Sequence, residues 1–108
     1  MSPSAEVQTT LPQPELEEIR IEQVLQALGD PVRLQIVRAL AKAADGLACG
    51  VIPLPVTNST RTHHMRFLRR AGVITVRAKG TRRITWLRRD DLDALYPGLV
   101  DAVLSASH

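Results

Sequence analysis

Hydroxyl, imidazole and guanidinium side chains are concentrated in residues 58–70, and further cations follow in residues 79–83. Hydroxyls, amides and imidazoles form hydrogen bonds with the edges of base pairs, and guanidinium groups pair with phosphates. These residue types predict a surface that contacts double-stranded DNA through both its bases and its backbone. The candidate DNA-binding residues are Asn58, Ser59, Thr60, Arg61, Thr62, His63, His64, Arg66, Arg69, Arg70, Lys79, Arg82 and Arg83.

Four of these side chains have more than one interpretation from sequence alone. Ser59 and Thr60 suit base contacts, but short hydroxyl residues at the start of a helix also serve as caps. Arg61 either extends its guanidinium to a phosphate or reads a base. His64 is expected to be packed or to contact a phosphate, in preference to binding a metal. The other arginines and Lys79 are assigned mainly to phosphates.

The charge distribution supports a polyanion-binding surface. Residues 46–89 contain ten bases and no acid, although the net charge of the whole chain is only +3. Residues 1–45 hold seven acids against four bases, and residues 90–108 hold four acids and no base. A solvated face usually mixes the two signs, so an all-positive middle third predicts a site for nucleic acid.

A helix and a hairpin must position these side chains. A helix is predicted to begin after a cap at Asn58 or Ser59 and to end at Gly72. Residues 73–79 and 82–87 alternate and are joined near Gly80, as in an antiparallel hairpin. The inward side chains are expected to be Met65, Leu68 and Ala71 on the helix and Ile74, Val76, Ile84 and Trp86 on the hairpin.

Two helices are predicted upstream, over residues 15–28 and residues 31–44. Between them, Gly29 is expected to end the first helix with positive φ, and Asp30 to cap the second. Arg33 is expected to face solvent. Residues 48–52 allow one helical turn before two prolines, and Asp90 is expected to cap a last helix. The predicted fold is mainly α with a small β-hairpin (α+β), a winged helix-turn-helix of four helices, two strands and a helix.

Domain organisation and several function classes also follow from the sequence. Residues 1–14 are predicted as a disordered tail, and residues 15–104 as one DNA-binding and dimerisation domain. The sequence contains no membrane-spanning run, no signal peptide and a single cysteine, which indicates a cytoplasmic protein. It contains no acid/base pair beside a nucleophile and no phosphate-binding glycine loop, so we expect neither an enzyme nor a cofactor.

An apolar stripe near the C-terminus predicts a homodimer. So small a domain has little core left for that stripe to cover, and we expect it to pack with the first helix against a second copy. The predicted dimer interface consists of Leu16, Ile19, Leu99 and Val103.

Four segments of the chain resemble the ArsR/SmtB family of bacterial transcription regulators. They are residues 27–37 (ALGDPVRLQIV), residues 59–74 (STRTHHMRFLRRAGVI), and the pair 80–83 (GTRR) and 87–92 (LRRDDL). The resemblance covers about residues 15–104. It implies a homodimeric winged helix-turn-helix repressor that leaves its operator when an inducer, often a metal ion, binds.

The metal-binding patterns of that family are missing from this chain. Its metal sensors often carry a Cys-x-Cys pair, but only Cys49 is present here. Others carry an Asp-x-His pair, whereas Asp91-Leu92-Asp93 has no histidine at that spacing. We therefore expect no metal site, and the inducer is left as a small molecule or an oxidant acting on Cys49. A winged-helix module that binds another protein is the alternative function.

Overall fold

The computed structural model describes residues 9–106, apart from the side chain of Cys49. The helices and strands are β1 (Thr9–Thr10), α1 (Ile21–Leu28), α2 (Pro31–Ala41), β2 (Leu47–Ala48), α3 (Asn58–Ala71), β3 (Ile74–Lys79), β4 (Arg82–Leu87), α4 (Arg89–Leu95) and α5 (Leu99–Ser105). Single 3-10 turns lie at Leu16–Glu18 and Cys49–Val51. Helices followed by a small antiparallel sheet confirm the predicted α+β winged-helix fold class.

The predicted hairpin is present and is extended by a short strand on each side. The sheet order is β1-β3-β4-β2, with every pair antiparallel. β1 was not predicted, because residues 9–14 were assigned to a disordered tail. That part of the tail prediction is wrong: Thr10 pairs with Arg77, and the Leu11 N–H donates to the Val76 carbonyl. The rest of the predicted tail, residues 1–8, lies outside the described residues.

The predicted inward face of β4 is wrong by one residue. Lys79 pairs with Arg82, so a two-residue loop places Val76 opposite Thr85 rather than opposite an apolar residue. Cross-strand partners share a face, and a shift of one residue exchanges the faces. Thr85 is therefore fully buried, while Ile84 and Trp86 lie half-buried on the other side of the sheet.

The first two helices differ from their predicted limits. The N-terminal one does not run from residue 15, because Ile19 and Arg20 are extended and α1 begins only at Ile21. The predicted second helix ends at Ala41 instead of residue 44. Gly29 ends α1 with φ of −84°, so its predicted positive φ is also wrong. Asp30 is confirmed as the cap of α2.

One hydrophobic core joins α1, α2 and α3 to the sheet. The inward face of α3 is confirmed, because its three predicted residues are buried. Ile19 belongs to the same core, since its extended backbone turns the side chain towards Gly72, at the end of α3. The buried apolar side chains are Ile19, Val24, Ala27, Leu28, Ile36, Val37, Leu40, Ile52, Met65, Leu68, Ala71, Val73, Ile74, Val76, Leu92 and Val100.

The C-terminal segment forms two short helices separated by Pro97 and Gly98. Asp90 lies within the first turn of α4, and the capping position is occupied by Arg88. The Arg88 side chain is buried; it donates to Asp91 Oδ2 at 3.0 Å and to the Pro14 carbonyl at 2.8 Å. This arginine therefore ties the N-terminal segment to the start of α4. Within residues 9–106, no helix is long and apolar enough to cross a bilayer.

Candidate nucleic-acid interface

The start of α3 is fixed by Thr57, one residue before the predicted caps. The Thr60 N–H donates to Thr57 Oγ1 at 3.2 Å, and the two threonine hydroxyls are 3.0 Å apart. The prediction that Asn58 or Ser59 caps the helix is therefore wrong. Because the residue before them takes the capping role, the Asn58 and Ser59 side chains lie exposed on the first turn of α3. Thr62 is also exposed, and its hydroxyl donates to the Asn58 carbonyl.

An exposed stripe runs along α3 opposite its buried face. Ser59, His63, Arg66 and Arg70 follow one another at spacings of four, three and four residues, and all are exposed. Residues at these spacings share one side of a helix. The stripe therefore presents a hydroxyl and an imidazole near the N-terminal end of α3 and two guanidinium groups near its C-terminal end.

The cations of α3 and β4 lie close enough to interact electrostatically. The pKa of Arg69 is lowered by partial burial and then by the positive charges of Arg70, Arg66 and Arg83. Its guanidinium donates to the Pro12 carbonyl at 2.5 Å, so the N-terminal segment holds it in place. Like charges that are held together repel one another, and a bound anion relieves that repulsion.

The hairpin of β3 and β4, called the wing below, carries its predicted cations at an exposed tip. Lys79, Arg82 and Arg83 are exposed around the turn at Gly80, whose φ is +62°. Within the part of the chain that the structure describes, the space beside this glycine is open, because a Cβ atom there would meet no atom within 4 Å. Further down the hairpin, the Arg77 guanidinium lies 5.1 Å from the Trp86 ring centre, a cation–π distance.

Two of the predicted DNA-binding residues lie inside the domain instead. Arg61 is half-buried, and its Nη1 donates to the Ile52 carbonyl at 2.6 Å, which braces the segment before α3. His64 is only 9% exposed, because its position falls on the same side of α3 as Leu68 and Ala71. The prediction of a DNA contact is corrected for His64.

His64 takes part in a polar cluster that joins α2 to α3. Its Nδ1 is 3.2 Å from Arg33 Nη1 and 3.9 Å from Asp30 Oδ2. A guanidinium can only donate, so the contact with Arg33 requires His64 Nδ1 to accept. The pKa of Asp30 is lowered by the N–H of Arg33, then by the Arg33 charge and the N–H of Val32.

Arg33 is the structural residue that the sequence analysis missed. It was expected to face solvent, yet it donates to the Ala27 carbonyl at 2.8 Å and to the Gln26 carbonyl at 3.1 Å. Its guanidinium also lies 4.2 Å from the Phe67 ring centre. Arg33 therefore locks the α1–α2 junction against α3. The contacts of Arg33 with His64 and Phe67 join residues more than 30 positions apart, so no local sequence pattern indicates them.

The predicted dimer residues lie in different environments. Ile19 is buried in its own domain, which corrects its assignment to the interface, and Leu16, Leu99 and Val103 are half-buried. More exposed apolar side chains lie on α1, where Ile21 is 39% and Leu25 is 52% exposed. These two residues are four positions apart and share one side of the helix.

Among the described residues, no three histidine, cysteine, aspartate or glutamate side chains are placed to hold a metal ion. Cys49 lies in the 3-10 turn Cys49–Val51, but its side chain is outside what the structure describes. The redox role of Cys49 therefore stays a prediction.

Known proteins provide an independent comparison. A family model described as a helix-turn-helix domain matches residues 28–77, from the end of α1 through most of β3. An uncharacterised HTH-type transcriptional regulator of Methanocaldococcus jannaschii is 35% identical over 60 residues, covering 55% of this chain and 67% of that protein. Another, from Bacillus subtilis, is 29% identical over 83 residues, covering 75% of this chain and 83% of that protein.

Proposed function

Because the chain belongs to the helix-turn-helix transcriptional regulators, we propose that it is a cytoplasmic repressor of the ArsR/SmtB type. In this proposal it binds a palindromic operator as a homodimer and is released by a small-molecule or redox inducer. The observation that carries the proposal is the exposed stripe of α3, whose Arg66 and Arg70 act together with Arg83 of the hairpin on the charge of Arg69.

The geometry of α3 suits the major groove. Its 14 residues span about 21 Å, and its N-terminal turn exposes short polar side chains. A helix enters the major groove with such a turn closest to the base edges. Ser59, Thr62 and His63 are therefore assigned to base contacts, with Asn58 and Thr60 beside them.

The cations are assigned to the DNA backbone. Arg66 and Arg70 lie further along the same side of α3, where the helix leaves the groove and meets the flanking phosphates. Lys79, Arg82 and Arg83 at the wing reach the neighbouring backbone. Arg69 supports this surface from its half-buried position against Pro12, and Arg61 positions the start of α3.

A dimer of this domain would read two half-sites. Two recognition helices placed about 34 Å apart meet successive major grooves on one side of a palindrome. The exposed apolar residues Ile21 and Leu25 extend the predicted interface of Leu16, Leu99 and Val103. A two-fold axis through α1 and α5 would cover both sets of residues in each copy.

Selection from random duplexes tests the proposal directly. The purified protein should enrich a palindrome with half-sites centred about 10 base pairs apart, and should bind it roughly a thousandfold tighter than scrambled DNA. The Arg66→Glu and Arg70→Glu variants should lose this binding, whereas Lys42→Glu, an exposed cation of the α2 C-terminus, should retain it. Failure to enrich any sequence at moderate salt would refute operator binding.

The dimer has a separate test. Replacing Ile21 and Leu25 by aspartate should convert the protein to a monomer in sedimentation velocity and should weaken binding to the full palindrome. Glu22→Asp, a change between these positions, is the control that keeps the charge and is expected to remain dimeric. A double variant that stays dimeric would show that α1 is not part of the interface, and the assignment of the DNA-binding residues would be unaffected.

A further inference from the structure

A cleft separates α1 from the exposed stripe of α3. Its volume is about 290 Å³, close to the lower limit of pockets that bind small molecules. The side chains that line it include Gln23, Gln26, His63, Arg66, Phe67 and Arg70.

The chemistry of the lining combines positive charge with an aromatic wall. Two guanidinium groups and one imidazole come from α3 and two carboxamides come from α1, and none of the cleft-lining side chains within residues 9–106 is acidic. Phe67 lies between the His63 ring, whose centre is 6.3 Å away in an edge-on orientation, and the Arg33 guanidinium at 4.2 Å. Because Arg33 is itself held by backbone carbonyls, the aromatic wall is fixed before any ligand arrives.

We propose that this cleft binds a small planar organic anion, such as an aromatic carboxylate, and that this ligand competes with DNA for Arg66 and Arg70. The carboxylate pairs with the two guanidinium groups, the ring packs against Phe67, and the carboxamides of Gln23 and Gln26 hydrogen-bond to polar substituents. The second half of the inference rests on the proposed function, since only a DNA-binding protein has binding to lose.

The aromatic ring of Phe67 distinguishes this cleft from a phosphate-binding surface. A phosphodiester needs cations and N–H donors, but it gains nothing from an aromatic wall. Release from DNA would be direct, because the same two arginines serve both ligands and no conformational change is required. By thermodynamic linkage, bound DNA lowers the affinity for the organic anion by the same factor as the bound anion lowers the affinity for DNA.

Binding to the DNA-free protein is measured first, by amide chemical shifts and calorimetry. Benzoate should bind with a Kd on the order of 1 mM, as expected for a ligand of this size. Benzyl alcohol, which lacks the charge, and acetate, which lacks the ring, should bind at least about tenfold more weakly. If acetate or inorganic phosphate binds as tightly as benzoate, the cleft is an adventitious anion site only and the inference is overturned.

A double variant on α1 tests whether the ligand binds in this cleft. Gln23→Leu and Gln26→Leu together remove both carboxamides but leave every residue assigned to DNA. Since benzoate itself does not need them, a hydroxylated benzoate should lose about fivefold in affinity in the double variant, while benzoate changes less. Equal affinities of the hydroxylated ligand for both proteins would show that it binds elsewhere and would overturn the inference.

Competition with DNA completes the test. Benzoate at ten times its Kd should weaken DNA binding about tenfold for each protomer and therefore about a hundredfold for the dimer on its operator, whereas the same concentration of benzyl alcohol should have no effect. Benzoate that binds in the cleft without weakening operator binding would overturn the competitive mechanism. If the protein binds no operator, the proposed function fails while the benzoate titration still reports on the cleft.

Discussion

The salt dependence of operator binding gives the sharpest numerical prediction. Each protomer exposes five cations on the proposed surface: Arg66, Arg70, Lys79, Arg82 and Arg83. Each phosphate neutralised contributes about −0.9 to the slope of log K against log of the salt concentration. A dimer that uses all ten cations should therefore show a slope of about −9, and one protomer a slope of about −4.5.

Replacing Arg66 and Arg70 by glutamine removes two of the five contacts in each protomer. The slope for the dimer should fall in magnitude to about −5.4, because six contacts remain at about 0.9 each. The Lys42→Gln control should keep the original slope. Fluorescence anisotropy of a labelled operator between about 50 and 200 mM salt measures these values. An unchanged slope in the double variant would refute the assignment of these arginines to phosphates.

Three further predictions concern the elements that hold the surface in place. Gly72→Ala combines a φ of +85° with a Cβ 2.6 Å from Ile19 Cγ1 and should lower the free energy of unfolding by about 2–4 kcal/mol. Gly80→Ala, at a φ of +62° in open space, should lower it by only about 1 kcal/mol. Equal losses in urea denaturation would mean that Ile19 moves aside. Thr57→Ala removes the acceptor of the Thr60 N–H and should lower the free energy of unfolding by about 1 kcal/mol in the same assay, whereas Thr57→Ser should lower it little. Equal losses for the two substitutions would contradict the role of Thr57 as the cap of α3. The Arg33 N–H lowers the pKa of Asp30 in the folded state below its value in the unfolded chain. The ionised carboxylate therefore stabilises the fold fully above the unfolded-state pKa, and this stabilisation is lost as the pH falls through the folded-state pKa. The stability advantage over Asp30→Asn should therefore shrink between about pH 5 and about pH 2, and an advantage independent of pH would oppose this explanation.

The parts of the fold that were predicted correctly depend on local sequence. The α3 helix carries buried residues at helical spacing and ends at Gly72, whose φ of +85° few other residues adopt. The hairpin is centred on Gly80 between two alternating segments. In both cases periodicity and turn residues agree, so the sequence alone indicates the elements.

The parts that were missed depend on contacts between distant segments. β1 contains only Thr9 and Thr10, which carry no apolar period, and it exists because the edge of β3 offers unpaired backbone groups. The two-residue loop sets the register of β4, and this register places Thr85 instead of Trp86 on the inward face. Apolar alternation alone did not determine that register.

The candidate site was predicted as a set of residue types, but the sequence did not separate exposed members from structural ones. Ser59 and Arg70 are exposed as expected, whereas His64 turns into the domain to meet Arg33. Helical position alone would have placed His64 near the buried stripe with Leu68. Because the sequence left a packed position and a phosphate contact both open for His64, only the structure identifies it as packed.

Amide chemical-shift mapping on the selected operator tests the central claim most directly. If α3 and the wing form the DNA-binding surface, the largest shifts on adding the duplex should fall in residues 58–70 and 79–83. Amides of α4 and the C-terminal end of α2 should change little. Large shifts confined to those two regions, with the exposed stripe of α3 unaffected, would contradict the account.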